Sequence, residues 1–206
     1  MAKMLYQGHG SYRIVLADGT VVYVDPFIGD GYDLPADLIL VTHEHFDHTH
    51  IDKMPHAQGC EIVRAADVHP DPATYLACES HGVRIQAVQA YNKNHPSDEC
   101  VGYALDLDGI RFYASGDTST TEDMASGKLA AMAIDYAVFP ADGFYNMDIP
   151  EASECARLVA AKHSIPVHMV PVSSPDQQEI FSRERCERFE GPGRIILEPG
   201  EELELA

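Results

Sequence analysis

The run "LILV" at Leu38–Val41 passes directly into "THEHFDHTH" at Thr42–His50. A continuous apolar run of this kind reads as a strand buried on both faces, so the fold must supply layers on either side of it. Crowded histidines and carboxylates at its carboxyl end fall where open α/β sheets place their sites. His43, His45 and Asp47 stand at i, i+2 and i+4, which point to one side in extended chain. His48 breaks that alternation, and a helical turn there would aim it at a neighbouring point. The stretch therefore offers two imidazoles to one metal ion and a carboxylate plus an imidazole to a second. Such donors suit zinc, and also iron or manganese. His50 extends the cluster but reads as a neighbour in a first helical turn rather than a ligand.

The rest of the chain predicts an α/β protein of one domain, residues 1–206. "MLYQGH", "SYRIVLA" and "TVVYVD" read as strands, with Asp18-Gly19 as a hairpin turn. A short helix is expected near Ile51 to Met54, and "EIVRA" and "VRIQAVQA" as strands flanking a helix over Pro72 to His81. "VGYALDLDGIRFYAS" reads as a second hairpin turning on Asp108-Gly109. "KLAAMA" reads as helix and "DYAVFP" as a buried strand. In "PEASECARLVAAKH", Ala152, Cys155, Ala156 and Val159 follow i, i+3, i+4, i+7 behind Pro150, an amphipathic helix. "IPVHMV" reads as a strand, "PDQQEIFSRERCERF" as a surface helix and "RIILEPGEELEL" as a closing hairpin. Each half thus runs hairpins first, then alternating strands and helices. Stacked face to face, two such halves make a four-layer αββα sandwich.

Four ligands are too few for two ions. His95 after "VRIQAVQA", Asp117 in "SGDTS" after "IRFYAS", and His168 at the end of "IPVH" all sit at or just beyond a strand's carboxyl end. With "THEHFDH", "GHGSYRI", "VDPFIG" and "FPADGFYNMDIPEA", these residues resemble the metallo-β-lactamase-fold hydrolase superfamily. The likeness runs over nearly the whole chain and is similar to the small single-domain branch with the ascorbate-6-phosphate lactonase-like proteins. It implies that His43, His45 and His95 bind a first metal, that Asp47, His48 and His168 bind a second, and that Asp117 bridges them. It further implies two divalent ions, zinc first with manganese or iron behind, and hydrolysis of a small ester, lactone, amide or phosphodiester. Asp47 and Asp117 are then the catalytic carboxylates. His9 is a candidate to face the site. Asp25 either supports the ligand loop or simply ends its strand before Pro26. Asp142, Tyr145, Asn146 and Met147 are candidates to line a substrate pocket, with Tyr91 and Asn92 also within reach. His56, His69, His81 and His163 read as surface histidines, the last in the final turn of its helix. A phosphorylated substrate would call for a basic clamp, for which Lys53, Arg64 and Lys93 are the candidates.

Composition narrows the partners. With 14 Lys+Arg against 33 Asp+Glu, the formal charge is -19, which opposes nucleic-acid and anionic-membrane binding. No apolar run approaches a membrane span and the start lacks a signal-peptide core, so a cytoplasmic protein is expected. The 5 cysteines include no C-x-x-C pair and read as reduced, packed thiols. A small-molecule substrate is the expected partner, and oligomeric state is not legible. The contrasting class is a non-catalytic sensor or scaffold that keeps the fold and the metal.

Overall fold

The computed structural model describes every residue except Pro175 and Gln178. The first half of the chain runs β1 (Lys3–Gly8), β2 (Ser11–Val15), β3 (Val21–Val24), β4 (Ala36–Val41), β5 (His56–Arg64) and the short α1 (Ala65–Val68). Next come β6 (Ala77–Ser80), β7 (Val83–Gln89), β8 (Val101–Leu107), β9 (Ile110–Ala114), α2 (Glu122–Ala125) and α3 (Lys128–Ala131). β10 (Tyr136–Pro140), α4 (Ile149–Val159), β11 (His163–Val167), α5 (Arg183–Arg188) and β12 (Glu202–Glu204) complete the order.

Two six-stranded sheets result, ordered β12-β1-β2-β3-β4-β5 and β11-β10-β9-β8-β7-β6. In the first, β1, β2 and β3 pair antiparallel, and β4 and β5 join parallel. The second repeats this plan, with β7, β8 and β9 antiparallel and β10 and β11 parallel. The expected pseudo-symmetric sandwich is thus the observed architecture. β4 shows why its sequence is continuously apolar. Leu38 and Leu40 enter the core between the sheets with Tyr6, Tyr12, Tyr103 and Phe112. Ile39 and Val41 face outward under Tyr32 and Met54. Each such buried side chain contributes about 1.5–3 kcal/mol.

The outer layers are unequal. α4 packs over β10 with α2 and α3 beside it, covering Phe139, Met147 and Cys155. The first sheet is covered by loop and by 3-10 turns at Phe46–His48 and Ile51–Lys53. Gly29 and Gly31, both at φ 86, keep the covering loop from winding into helix. Among the described residues no helix is long and apolar enough to cross a membrane. All five cysteines are free.

Four local expectations are corrected. Pro72 to His81 forms no helix; it ends in β6, which pairs with β7. His81 and Gly82 take φ 49 and 78, the hairpin-turn conformation, so the chain reverses where the helix was expected to end. The helix expected over 175–189 is confined to α5, which starts where Ser182 accepts from the Arg185 amide; Pro175 and Gln178 lie outside the described residues. The closing hairpin is split between sheets. The Ile195 amide donates to Ser164 O beside β11, whereas β12 pairs with β1. Finally, α4 ends at Ala160 in the left-handed region, so His163 opens β11 and stacks on Tyr136.

Candidate active site

The carboxyl ends of β4, β7, β9 and β11 meet along one edge of the sandwich and deliver His43, His95, Asp117 and His168 there. His45, Asp47 and His48 arrive on the loop after β4, where the 3-10 turn at Phe46–His48 swings His48 inward. The structure brings all seven sequence candidates together. His43, His45 and His95 form one group whose donor atoms lie within 4.8 Å of one another. Asp47, His48 and His168 form a second, which His9 joins. Asp117 stands between them. Its Oδ2 is 3.3 Å from His95 Nε2 and 3.3 Å from His168 Nε2, and its Oδ1 is 3.6 Å from His48 Nε2.

Four buried imidazoles have a polar partner at the Nδ1 side, whereas His9 meets Asp47 through Nε2 and leaves its Nδ1 unpartnered. Thr42 Oγ1 is 3.0 Å from His43 Nδ1, and Asn92 Oδ1 is 2.9 Å from His95 Nδ1. Asp25 Oδ2 is 3.0 Å from His48 Nδ1, and Asp142 Oδ2 is 3.1 Å from His168 Nδ1. The opposite atoms, Nε2 of His43, His48, His95 and His168, are buried without a hydrogen-bond partner among the described residues, and the Nδ1 atoms of His48 and His168 meet their carboxylates at ion-pair distance without hydrogen-bond geometry. Buried polar atoms are rarely orphaned, because leaving one costs about 1–3 kcal/mol. Imidazoles held at one nitrogen, with the other aimed at a shared point, have the geometry of metal ligands. The donor set fits divalent metal.

The backbone is bent to make this possible. His9, Asp25 and His168 adopt φ 55, 45 and 47, the left-handed region that non-glycine residues seldom enter. The His168 amide donates to His9 O, locking two of these residues together. At Gly116, φ 62, a Cβ would come within 2.9 Å of Thr42 Cβ and of Val101 O, so the turn that presents Asp117 needs glycine.

Electrostatics divides the cluster. Burial pushes His43 well below the ordinary range, with His48 adding to it, and takes His95 down to about 4. Burial and His168 likewise take His9 down to about 4. At His48 and His168 burial acts the same way but loses. Asp117 and Asp25 hold His48 well above its usual value, and Asp117 with Asp142 lifts His168 to about 10. Burial opposes ionisation of Asp117, yet His168 and His48 hold it well below the usual carboxylate range.

Several other candidates take different places. Asp25 accepts from the Thr42 amide at 2.8 Å and from Thr42 Oγ1 at 2.7 Å, besides facing His48. His9 Nε2 lies 3.0 Å from Asp47 Oδ2. Asn146 Nδ2 donates to Asp117 Oδ2 and Asp142 Oδ2, so Asn146 and Asp142 brace the cluster from behind. Met147 is fully buried in the core under α4 and is not among the residues lining the cavity over the donors. Tyr91 accepts from the Glu122 amide and helps seat α2. His50 is exposed, with its ring on Phe27. His69 is no surface residue: its Nδ1 and Nε2 sit 2.7 and 2.8 Å from Thr74 O and Ser97 O, tying its loop to the one bearing His95.

A cavity of about 350 Å³ opens over the donors, with Phe46, Asn94, Tyr145, Val172 and Ser173 among its lining. Sequence reasoning missed Phe46, Asn94, Val172 and Ser173, and missed the Thr42 hydroxyl as a grip on His43. The basic candidates lie elsewhere. Lys53 donates to Phe27 O, Arg64 pairs with both Glu44 oxygens, and Lys93 is exposed and lines no part of the cavity.

A two-sheet sandwich with His and Asp donors gathered at one edge is the architecture of metallo-β-lactamase-fold proteins. The chain belongs to that superfamily, since the family described as beta-lactamase superfamily domain matches residues 3–168. It is 30% identical to the UPF0173 metal-dependent hydrolase of Thermococcus onnurineus, over 100% of both chains. A solved protein of Parabacteroides distasonis, proposed as a metal-dependent hydrolase, is 27% identical with TM-score 0.73, covering 94% of this chain and 91% of its own. The metallo hydrolase Igni18 of Ignicoccus hospitalis shares the fold at 20% identity and TM-score 0.68, covering 98% and 97%.

Proposed function

We propose that this protein is a binuclear metal-dependent hydrolase of a small molecule; the names of its relatives support metal-dependent hydrolysis. The observation that carries this reading is the pair of donor groups converging on Asp117 with their buried Nε2 atoms unpartnered. His43, His45 and His95 would hold one divalent ion, and Asp47, His48 and His168 the other. Asp117 would bridge them. Mixed imidazole and carboxylate donors favour zinc, with manganese or iron behind it. When bound, such ions lower the pKa of water toward ~7 and polarise the oxygen of the bond under attack.

The chain's own groups do the rest. Asp25, Thr42, Asn92 and Asp142 fix the imidazole tautomers and aim each Nε2 inward. His9 holds Asp47 Oδ2 so that its carboxylate faces the cavity, placed to accept a proton from the attacking water. Asn146 orients Asp117 through its Nδ2.

Metal analysis of purified protein, with a screen of lactone, ester, thioester, phosphodiester and β-lactam substrates, tests the proposal. Two equivalents of metal with turnover of at least one class is the expected result. Bound metal with no turnover would instead favour a sensor or scaffold.

A further inference from the structure

His45 is exposed and lines two cavities. One is the cavity of about 350 Å³ over the donors. The other, of about 500 Å³, is lined by His43 and His45 but by none of Asp47, His95 or Asp117. His43 is 1% exposed, and its Nε2 has no hydrogen-bond partner among the described residues. The second cavity therefore leads to an unpartnered buried donor of the first group, by a way that the cavity over the donors does not share.

The two cavities differ in charge. Asp98 and Glu99 are exposed in the lining of the second, and among the described residues neither forms an ion pair. Glu44 joins them, with its carboxylate 2.6 Å from Arg64 Nη1. No lysine or arginine is among the described residues that line this cavity. In the first cavity, Phe46, Asn94, Tyr145, Val172 and Ser173 surround the donors without a charge among them. The acidic wall is also held in place. His69 Nε2 lies 2.8 Å from Ser97 O, next to Asp98, and Pro70 and Pro96 restrict the backbone on either side. A cleft of one sign of charge focuses its field and raises the on-rate of counter-ions by about 10–1000-fold.

We propose that the second cavity is the entry path for a hydrated divalent cation. Asp98 and Glu99 draw the ion in, and His43 and His45 take it from there by replacing its water ligands. The cavity over the donors is left to the substrate, so this ion exchanges without passing a bound substrate. The path rests on the assignment of His43, His45 and His95 as the ligands of one ion.

Uptake kinetics test the proposal. Metal-free protein, its fold checked by circular dichroism, is mixed with Co²⁺ and uptake is followed by visible absorption; the phase that His45→Ala removes is the one read. Asp98→Asn with Glu99→Gln should slow that phase about tenfold at low salt and flatten its decline as salt rises. Glu184→Gln with Glu187→Gln removes the same charge from exposed positions on α5, outside the cavity lining, and should leave the rate unchanged. Ala66→Trp, at an exposed position of the second cavity, should slow uptake and chelator-driven release alike and keep the affinity, because a plug raises one barrier for both directions. Ser173→Trp, in the first cavity, should change neither rate. Slowing by Ser173→Trp and not by Ala66→Trp overturns the proposal, as does an equal response to the two pairs of charge removals. Two ions bound at equilibrium would then still uphold the binuclear reading. If no phase of uptake depends on His45, the ligand assignment falls and the entry path with it.

Discussion

The two donor groups that meet at Asp117 are built to different standards of enclosure. His9, Asp47, His48 and His168 are all buried. Two of their imidazoles face carboxylates, Asp25 and Asp142. In the other group His45 is exposed and borders cavities on two sides, and the partners that grip His43 and His95 are the neutral Thr42 and Asn92. Carboxylate partners raise imidazole basicity, whereas neutral ones chiefly orient. Under the proposed assignment, the closed group holds its ion tightly and the open group holds an ion that exchanges.

The largest effect belongs to the residue the groups share. Asp117→Ala should lose both ions by elemental analysis and abolish turnover. Its cost in metal affinity should exceed the about 10–100-fold typical of losing an outer partner. Circular dichroism would establish that the variant folds. Retained binding of two ions would sink the bridge. Next comes the contrast itself. A chelator titration followed by elemental analysis should strip the protein in two stages, with the first ion leaving well before the second. Asp142→Asn should weaken the second stage by about 10–100-fold and leave the first in place. Asn92→Ala should weaken only the first. A single stage, or the opposite pairing of variant and stage, would break the comparison.

Each group was legible to the same extent, two members from the stretch after β4 and one from a distant strand end. His43, His45, Asp47 and His48 could be read from one short stretch, because a strand end followed by a turn fixes their directions locally. His95, Asp117 and His168 were found as polar residues at the ends of apolar strands. Their division between two groups, however, depends on how the sheets stack, which local pattern does not carry. The supports were harder still. Asp142 reaches His168 across many residues, Thr42 is tied to the distant Asp25 as well as to its neighbour His43, and His69 looked like a loop residue until its two carbonyl partners came from separate loops. The β6–β7 hairpin was missed for a backbone reason: His81 occupies a left-handed turn position where asparagine or aspartate would have been the clearer signal.

The smallest predicted effect bounds the closed group from outside. His50 ends the same histidine-rich stretch, yet the Pro26 carbonyl holds its backbone amide and its ring rests edge-on against Phe27 at 5.1 Å. Phe27 in turn packs against the ring of His9 at 5.5 Å and that of Phe46. His50→Ala therefore removes a packing neighbour two steps from the donors. It should change stability by about 0.5 kcal/mol or less, as exposed substitutions generally do, and leave both stages of the chelator titration in place. Loss of an ion in this variant would mean that the chain turns differently after His48, and the partition into a closed and an open group would have to be redrawn.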